Sequence, residues 1–341
     1  MSATKSNSNI ARRVAAALLA SGVIASLLLA VPSLQSVAHQ IAHLNAGWVI
    51  AAVALELGSC LAFVAIFRLF FDQLPARPAR RLAWTEQGAG ALLPGGGVGA
   101  LAVGGWLLHQ RGISKRTIIE RSSALFFLTS AINVAALVGA GALLAVGLAS
   151  GPHDALRTSI PVGGGLLVTA TVLIAAKLVR RRRGRSWLIG LTDGIDGARG
   201  SVARPSWRLL GAIGYLGFDI AALGAALAAT GRPVPVAPLV LAYLIGYLAN
   251  LVPIPGGFGV LEGDLAGTLI AYHAPATQAA AAVVVYHAIA FWIPSLGGLL
   301  GYALLRDQSQ MLALRRRRAL RAAQAAPPNR SSTAAALASW S

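Results

Sequence analysis

The chain has 341 residues, 56% of them hydrophobic and 12% charged, with a mean hydropathy of +0.67. Soluble domains carry about 25% charged residues, so the composition excludes an ordinary soluble fold and identifies a polytopic membrane protein without a sizeable soluble domain. A net charge of +18 does not point to nucleic acid, because Lys and Arg gather in short loops between apolar stretches and no recognition fold or aromatic platform accompanies them.

In chain order, a polar start with Lys5, Arg12 and Arg13 leads into an apolar span at 14–31. That span exceeds the ~7–15-residue core of a cleaved signal and is read as a retained anchor. Residues 33–46 place Leu34, Val37, Ile41 and Leu44 at helical spacing, the pattern of an interfacial helix. Full spans are predicted at 47–71, 121–148, 159–179, 207–229 and 277–305. Segment 186–206 is a moderately apolar loop expected on the cytoplasmic surface. The tail from Arg306, with Arg315 to Arg318, is expected to form a short basic helix that frays into disorder.

Two apolar segments, 83–108 and 237–273, are interrupted by glycine runs: Leu93-Pro94-Gly95-Gly96-Gly97-Val98-Gly99 and Pro253-Ile254-Pro255-Gly256-Gly257-Phe258-Gly259. They share a GGxGxL pattern at an offset of 160 residues. Unwound backbone at bilayer depth is tolerated only inside protein or beside a wet cavity, and matched breaks in two halves point to a transporter binding site. The second segment is too long for one span of ~20 residues and too short for two, which fits a re-entrant hairpin. If both segments dip in and return, all but Arg157 and Arg232 of the 29 Lys and Arg lie on one side. If both cross, the clusters at 111–121 and 177–208 move outside, against the positive-inside rule.

The expected fold is therefore an all-α polytopic membrane protein, an inverted repeat of about six full transmembrane helices plus two re-entrant helical hairpins. Residues 1–13 form a cytoplasmic segment, 14–305 the membrane domain with halves at 14–149 and 159–305, and 306–341 a basic cytoplasmic tail. Three crossings per half invert the second half, so the hairpins enter from opposite sides.

Charges within spans cost about 2.5–3.5 kcal/mol each on insertion scales and demand a reason. Glu56 and Asp219 each sit mid-span; shifted by 160, Glu56 falls on Leu216, one helical turn from Asp219. Both acids are expected to face the bundle interior, either as a proton relay or polar path or as a buried structural pair. Glu262 and Asp264 follow the second break, where a helix N-terminus stabilises carboxylates. They either anchor the half-helix or bind a cationic headgroup while free amides hold a phosphate. Glu86, in the inbound arm of the first hairpin, is a similar candidate, and His287 is a candidate partner for Glu262 or Asp264. Glu120-Arg121 is either a snorkelling interface pair or a grip on a lipid phosphate. Cys60 is read as a packing residue. His39 and His43 lack the Glu of a zinc helix, and the glycine runs lack the Lys-Ser/Thr of a P-loop, so neither metal nor cofactor is expected.

Pro255-Gly256-Gly257-Phe258-Gly259-Val260-Leu261-Glu262-Gly263 resembles the PGGxGxxEG signature of the lysylphosphatidylglycerol synthase transmembrane (flippase-like) family. The run Leu93 to Gly99 resembles its first-half PGG motif, and Gln110-Arg111-Gly112-Ile113-Ser114 with Ile119-Glu120-Arg121 its RRG(V/I)S…ER stretch. Phe291-Trp292-Ile293-Pro294 followed by Gly297 is similar to its last-span pattern. The chain departs from the family in having His287 where Arg is common and Ser122-Ser123 after Glu-Arg.

The resemblance implies a multi-pass protein of the bacterial cytoplasmic (inner) membrane with both termini cytoplasmic, related to the lipid-moving part of these synthases. About 36 residues follow the last span, so lysyl transfer by this chain is not expected. The reading is a flippase-like transporter for phospholipid or polyprenyl-phosphate headgroups. Its site would comprise Pro255, Gly256, Gly257, Gly259, Glu262 and Asp264, with Pro94, Gly96, Gly97, Glu120 and Arg121. A polar path would run through Glu56, Glu86, Asp219 and His287. The alternative is a membrane enzyme or accessory subunit of lipid or cell-envelope modification. Expected partners are membrane lipids, chiefly anionic phospholipid, and a separate lipid-modifying enzyme.

Overall fold

The computed structural model describes residues 32–93, 96–181, 186–204, 206–247 and 260–325, with side chains described for 35–93, 96–178, 192–204, 206–247 and 263–306. Among these residues there are helices and no strands. In chain order they are α1 (Pro32–Ala42), α2 (Ala46–Phe70), α3 (Ala76–Leu92), α4 (Gly97–Gln110), α5 (Lys115–Ala145), α6 (Ala155–Arg181), α7 (Ser186–Ala203), α8 (Leu210–Ala229), α9 (Val236–Gly246), α10 (Val260–Ala271) and α11 (Ala276–Ala325). A 3₁₀ turn, Trp207–Leu209, leads into α8.

Among the described residues, five helices are long and apolar enough to cross a membrane: Ala46–Phe70, Lys115–Ala145, Ala155–Leu178, Trp207–Ala229 and Ala276–Arg306. At 1.5 Å per residue the 25 residues of α2 reach about 38 Å, against a hydrocarbon core of ~30 Å. These five coincide with the spans predicted from residue 47 onward, and the chain is an all-α polytopic membrane protein. The predicted first span, 14–31, lies outside the described residues.

Local chemistry sets the helix starts. Asn45 caps α2, its side chain accepting from the backbone N–H of Gly47 at 2.9 Å and Trp48 at 3.3 Å. Gly112 takes a φ of +83°, which a residue with a Cβ rarely adopts. Two residues later Ser114 accepts from the Thr117 N–H at 3.2 Å and opens α5.

Both glycine-interrupted segments are helix pairs folded back on themselves. In the first, a Cβ at Gly90 would meet the Ala100 Cβ at 3.4 Å, and one at Gly104 would collide with Glu86. In the second, a Cβ at Gly246 would stand 2.7 Å from Leu265 Cα, and Thr268 Oγ1 donates to the Ala242 carbonyl at 3.2 Å. In each pair, moving back along one arm moves forward along the other, so the arms are antiparallel. The 17 and 14 residues of α3 and α4 extend about 25 and 21 Å, and the 11 and 12 residues of α9 and α10 about 16 and 18 Å.

The chain regions 32–145 and 155–325 interlock. Helix α2 packs along α8, α3 along α11, and α9 along α5. Small residues make the close approaches, as is common between membrane helices. A Cβ at Gly88 would lie 2.7 Å from Gly298 Cα and 2.8 Å from the Pro294 carbonyl oxygen, and one at Gly297 would enter the Trp84 ring. A Cβ at Gly211 would lie 2.7 Å from the Ala62 carbonyl oxygen.

Segment 186–206, read from sequence as a loop, is largely the helix α7, which packs on α5. Gly194 permits the contact, since a Cβ there would stand 2.5 Å from that of Ser123. Helix α1 lies against α11, and Gln40 donates to the Thr230 carbonyl at 3.3 Å. Arg157 pairs with Asp154 at 3.2 Å and with His273 Nε2 at 2.9 Å, joining the start of α6 to the end of α10.

Two buried apolar clusters result. One, with Phe67, Leu82, Leu108, Leu125 and Leu305, surrounds the first helix pair. The other, with Leu144, Leu223, Leu241, Leu269 and Tyr286, surrounds the second. The polar residues of the middle of α2 lie between them.

Candidate functional site

Helices α2 and α8 carry Glu56 and Asp219 to the same seam, with the two carboxyl groups facing each other at hydrogen-bonding range. Glu56 is 5% exposed. Its Oε1 accepts from the Cys60 thiol, one turn along α2, at 3.8 Å. Its Oε2 is buried with no hydrogen-bond partner among the described residues.

Asp219 is better supplied. Tyr243 Oη donates to its Oδ2 at 2.6 Å and Tyr286 Oη to its Oδ1 at 2.7 Å. Tyr243 comes from α9, the first arm of the second hairpin, and Tyr286 from α11. The first hairpin also reaches this place, since Gln87 Nε2 on α3 donates to the Cys60 carbonyl at 3.3 Å. Ser59 Oγ donates to the Tyr215 carbonyl at 2.9 Å and holds the two spans in register. Two spans, one arm of each hairpin and the final helix therefore converge on one carboxyl pair inside an apolar bundle.

The other sequence candidates fall in different places. Glu86 is buried at 6% exposure in α3, against Gly104 of α4, where any side chain on Gly104 would strike its carboxyl. Gly96 is the N-cap of α4 with φ +46°, and its N–H bonds the Leu93 carbonyl at 3.3 Å. At Gly97 a Cβ would meet nothing within 4 Å, so the start of α4 borders open space. His287 is buried next to Tyr286 in α11, and Asp264 is exposed on α10. Glu262 is the third residue of α10, its side chain lying outside the described residues. Pro94, Pro255, Gly256, Gly257 and Gly259 also lie outside them.

Arg121 is engaged by the protein. Its guanidinium donates to the Phe70 carbonyl and to Asp72 Oδ1 at 2.8 Å, placing a cation at the C-terminal end of α2, where the helix dipole favours it. With Glu120 it lines a cavity of about 210 Å³ beside Asp72 and Ala124. A phosphate there would compete with Asp72 for Arg121.

Sequence reading missed Tyr243 and the hydrogen-bonding role of Cys60. Cys60 was expected to pack, and it is buried, yet it also donates to Glu56. A signal existed: a thiol one turn from a mid-span acid, and tyrosines deep in apolar helices, are polar groups that need partners. Nothing in the one-dimensional pattern said that Asp219 would be that partner.

The Pro294 and Gly297 pattern of the last span also acquires a physical account. Its glycines and the Pro294 carbonyl form the surface on which α3 lies. No curated protein matches the chain. The family described as "Lysylphosphatidylglycerol synthase TM region" matches residues 14–298, and the chain belongs to that family of integral membrane domains.

Proposed function

We propose that this protein moves the headgroup of a phospholipid or polyprenyl-phosphate lipid between the leaflets of the bacterial cytoplasmic membrane. The observation that carries the reading is the convergence of both helix pairs on the Glu56–Asp219 centre. Ionisable groups that face the interior of a membrane-spanning bundle commonly mark substrate or ion pathways. The arms of α9 and α10 fall short of a ~30 Å core, and so does the apolar part of α3 beyond Arg81. This supports re-entrant hairpins over crossings.

The packing also supports an inverted repeat. The contacts α3–α11, α4–α5 and α2–α3 have counterparts in α9–α5, α10–α11 and α8–α9. In such a repeat the hairpins enter from opposite faces and alternate exposure of a central site by rocking. The glycine tips with Gly97, Gly257 and Glu262 would receive the headgroup, and the basic cytoplasmic loops would hold anionic phospholipid at about 1 kcal/mol per residue near the surface. Both termini would be cytoplasmic.

Reconstitution into liposomes with fluorescent lipids tests this reading. Wild-type protein is expected to equilibrate the probe between leaflets, and a Glu262→Ala, Gly257→Leu double variant is expected to lose that activity. A normal rate in the double variant refutes the site. The topology is tested in a Cys60→Ala background with single cysteines at Gly97 and Gly257, which should label from opposite sides of the membrane.

A further inference from the structure

We infer that Glu56 and Asp219 hold one proton between them, on Glu56, and that this proton bonds the α2 and α8 spans across the seam that joins the two halves. The geometry assigns its place. Both Asp219 oxygens accept from tyrosine hydroxyls, at 2.6 and 2.7 Å, in or near the short range typical of an O–H donor to an ionised carboxylate. Each of those oxygens keeps a second lone pair. Glu56 Oε1 is taken by the Cys60 thiol, leaving Oε2 buried and donorless among the described residues, in a carboxyl group that faces Asp219. A proton on Oε2 turns two facing acceptors into a donor and an acceptor, and leaves a single negative charge that both tyrosines stabilise.

Among the described residues, the titratable groups acting on this centre are few. Cys60 shares α2, Tyr215 and Asp219 lie on α8, Tyr243 and Tyr247 at α9, and Tyr286 on α11. All are neutral or acidic. From α3 the approach is the Gln87 amide, which does not titrate, while Glu86 is turned toward Gly104. Losing the proton would therefore put two negative charges at one seam with no cation among these groups, and remove the bond that spans it. Separation of α2 from α8 is then linked to proton release. Only the use of that linkage, to drive rocking of the halves, rests on the transport reading.

The test is infrared difference spectroscopy of the full chain in nanodiscs, with no transported lipid in the readout. At about pH 7 an unperturbed Glu, with a pKa near ~4.3, is ionised. Wild-type protein is expected to retain a protonated-carboxyl C=O component that disappears in Glu56→Gln and in Asp219→Asn and persists in Glu86→Gln. The single cysteine supplies a second reporter that needs no variant. The Cys60 S–H stretch should shift at the pH where the carboxyl component is lost, because the thiol donates to Glu56.

Absence of the component in wild type, its survival in either pair variant, or an S–H band indifferent to that transition overturns the inference. So does its disappearance on adding sodium chloride at constant pH, which would assign the centre to an alkali ion. A protein that shows the component yet moves no lipid keeps the proton and loses the transport reading.

Discussion

The α3–α11 seam and the α2–α8 seam both join the first half of the chain to the second, by opposite means. At α3–α11 the backbones touch: Gly88 faces Gly298 and the Pro294 carbonyl, with Gly297 under the Trp84 ring. Dispersion between close backbones holds such a contact, and it has no intermediate setting, since close-packed interfaces rearrange in steps. At α2–α8 glycine also admits the neighbour, at Gly211, yet a few turns away the seam carries Glu56 and Asp219. A buried carboxyl pair is a poor way to gain stability. The first seam is built to stay closed, and the second carries a chemical reason to change.

Five substitutions probe the two seams and the helix ends around them, beginning with the largest effect. Gly298→Leu forces a side chain into the backbone of α3 and should destabilise the protein by about 3 kcal/mol. It should appear as a large drop in the thermal midpoint of detergent-solubilised protein. A midpoint unchanged from wild type would mean that the seam is looser than its contacts.

Tyr286→Phe removes one of the two tyrosine donors to Asp219 and should cost about 2 kcal/mol, in the range for hydrogen bonds to charged groups. Tyr243→Phe should behave alike, and the double variant should lose less than the two singles combined if Asp219 takes up a proton instead. Strict additivity in denaturation would break the picture of a linked centre.

Arg121→Gln tests the C-terminal end of α2. The guanidinium is 26% exposed and Asp72 61%, so the ion pair adds little, and the loss reduces to roughly 1 kcal/mol for the bond to the Phe70 carbonyl. If Arg121 instead grips lipid phosphate, stability will hold while lipid movement falls, a split that paired melting and liposome assays would reveal.

Gly97→Ala is expected to be the mildest, within about 0.5 kcal/mol, because its Cβ would enter open space. That makes it the cleanest probe of the first hairpin tip. Reduced lipid movement with an unchanged melting curve would assign Gly97 to the path, and unchanged movement would leave the first hairpin a structural element.

Much of this architecture was legible in one dimension. The five described spans sit within a few residues of their predicted positions, since a run of some 20 apolar residues matched to the hydrocarbon thickness is nearly self-defining. The helix breaks were visible as glycine runs where a helix ought to continue, and Gly96 does start α4 with a positive φ. Segment 186–206 was less legible. It reads as a moderately apolar surface loop, yet α7 is a helix packed on α5, with Gly194 and Gly197 on the contact face, and nothing local identifies that partner.

The carboxyl centre divides along the same line. Mid-span acids at Glu56 and near the matching point of the second half could be read as inward-facing, because burying a charge in lipid is too costly to be casual. Which groups would meet them was decided by tertiary structure alone. Helical periodicity assigns a residue to a face, whereas the identity of the facing helix depends on how α2, α8, α9 and α11 cross. The sequence by itself determined that the protein is a helical membrane bundle with two interrupted segments and internal acids. The fold decided that Glu56 faces Asp219, that two tyrosines donate to the Asp219 oxygens, and that Glu56 Oε2 is left without a partner among the described residues. Hydrogen bonds between distant residues form only where packing brings donor and acceptor within about 3 Å, and no spacing along the chain encodes that distance.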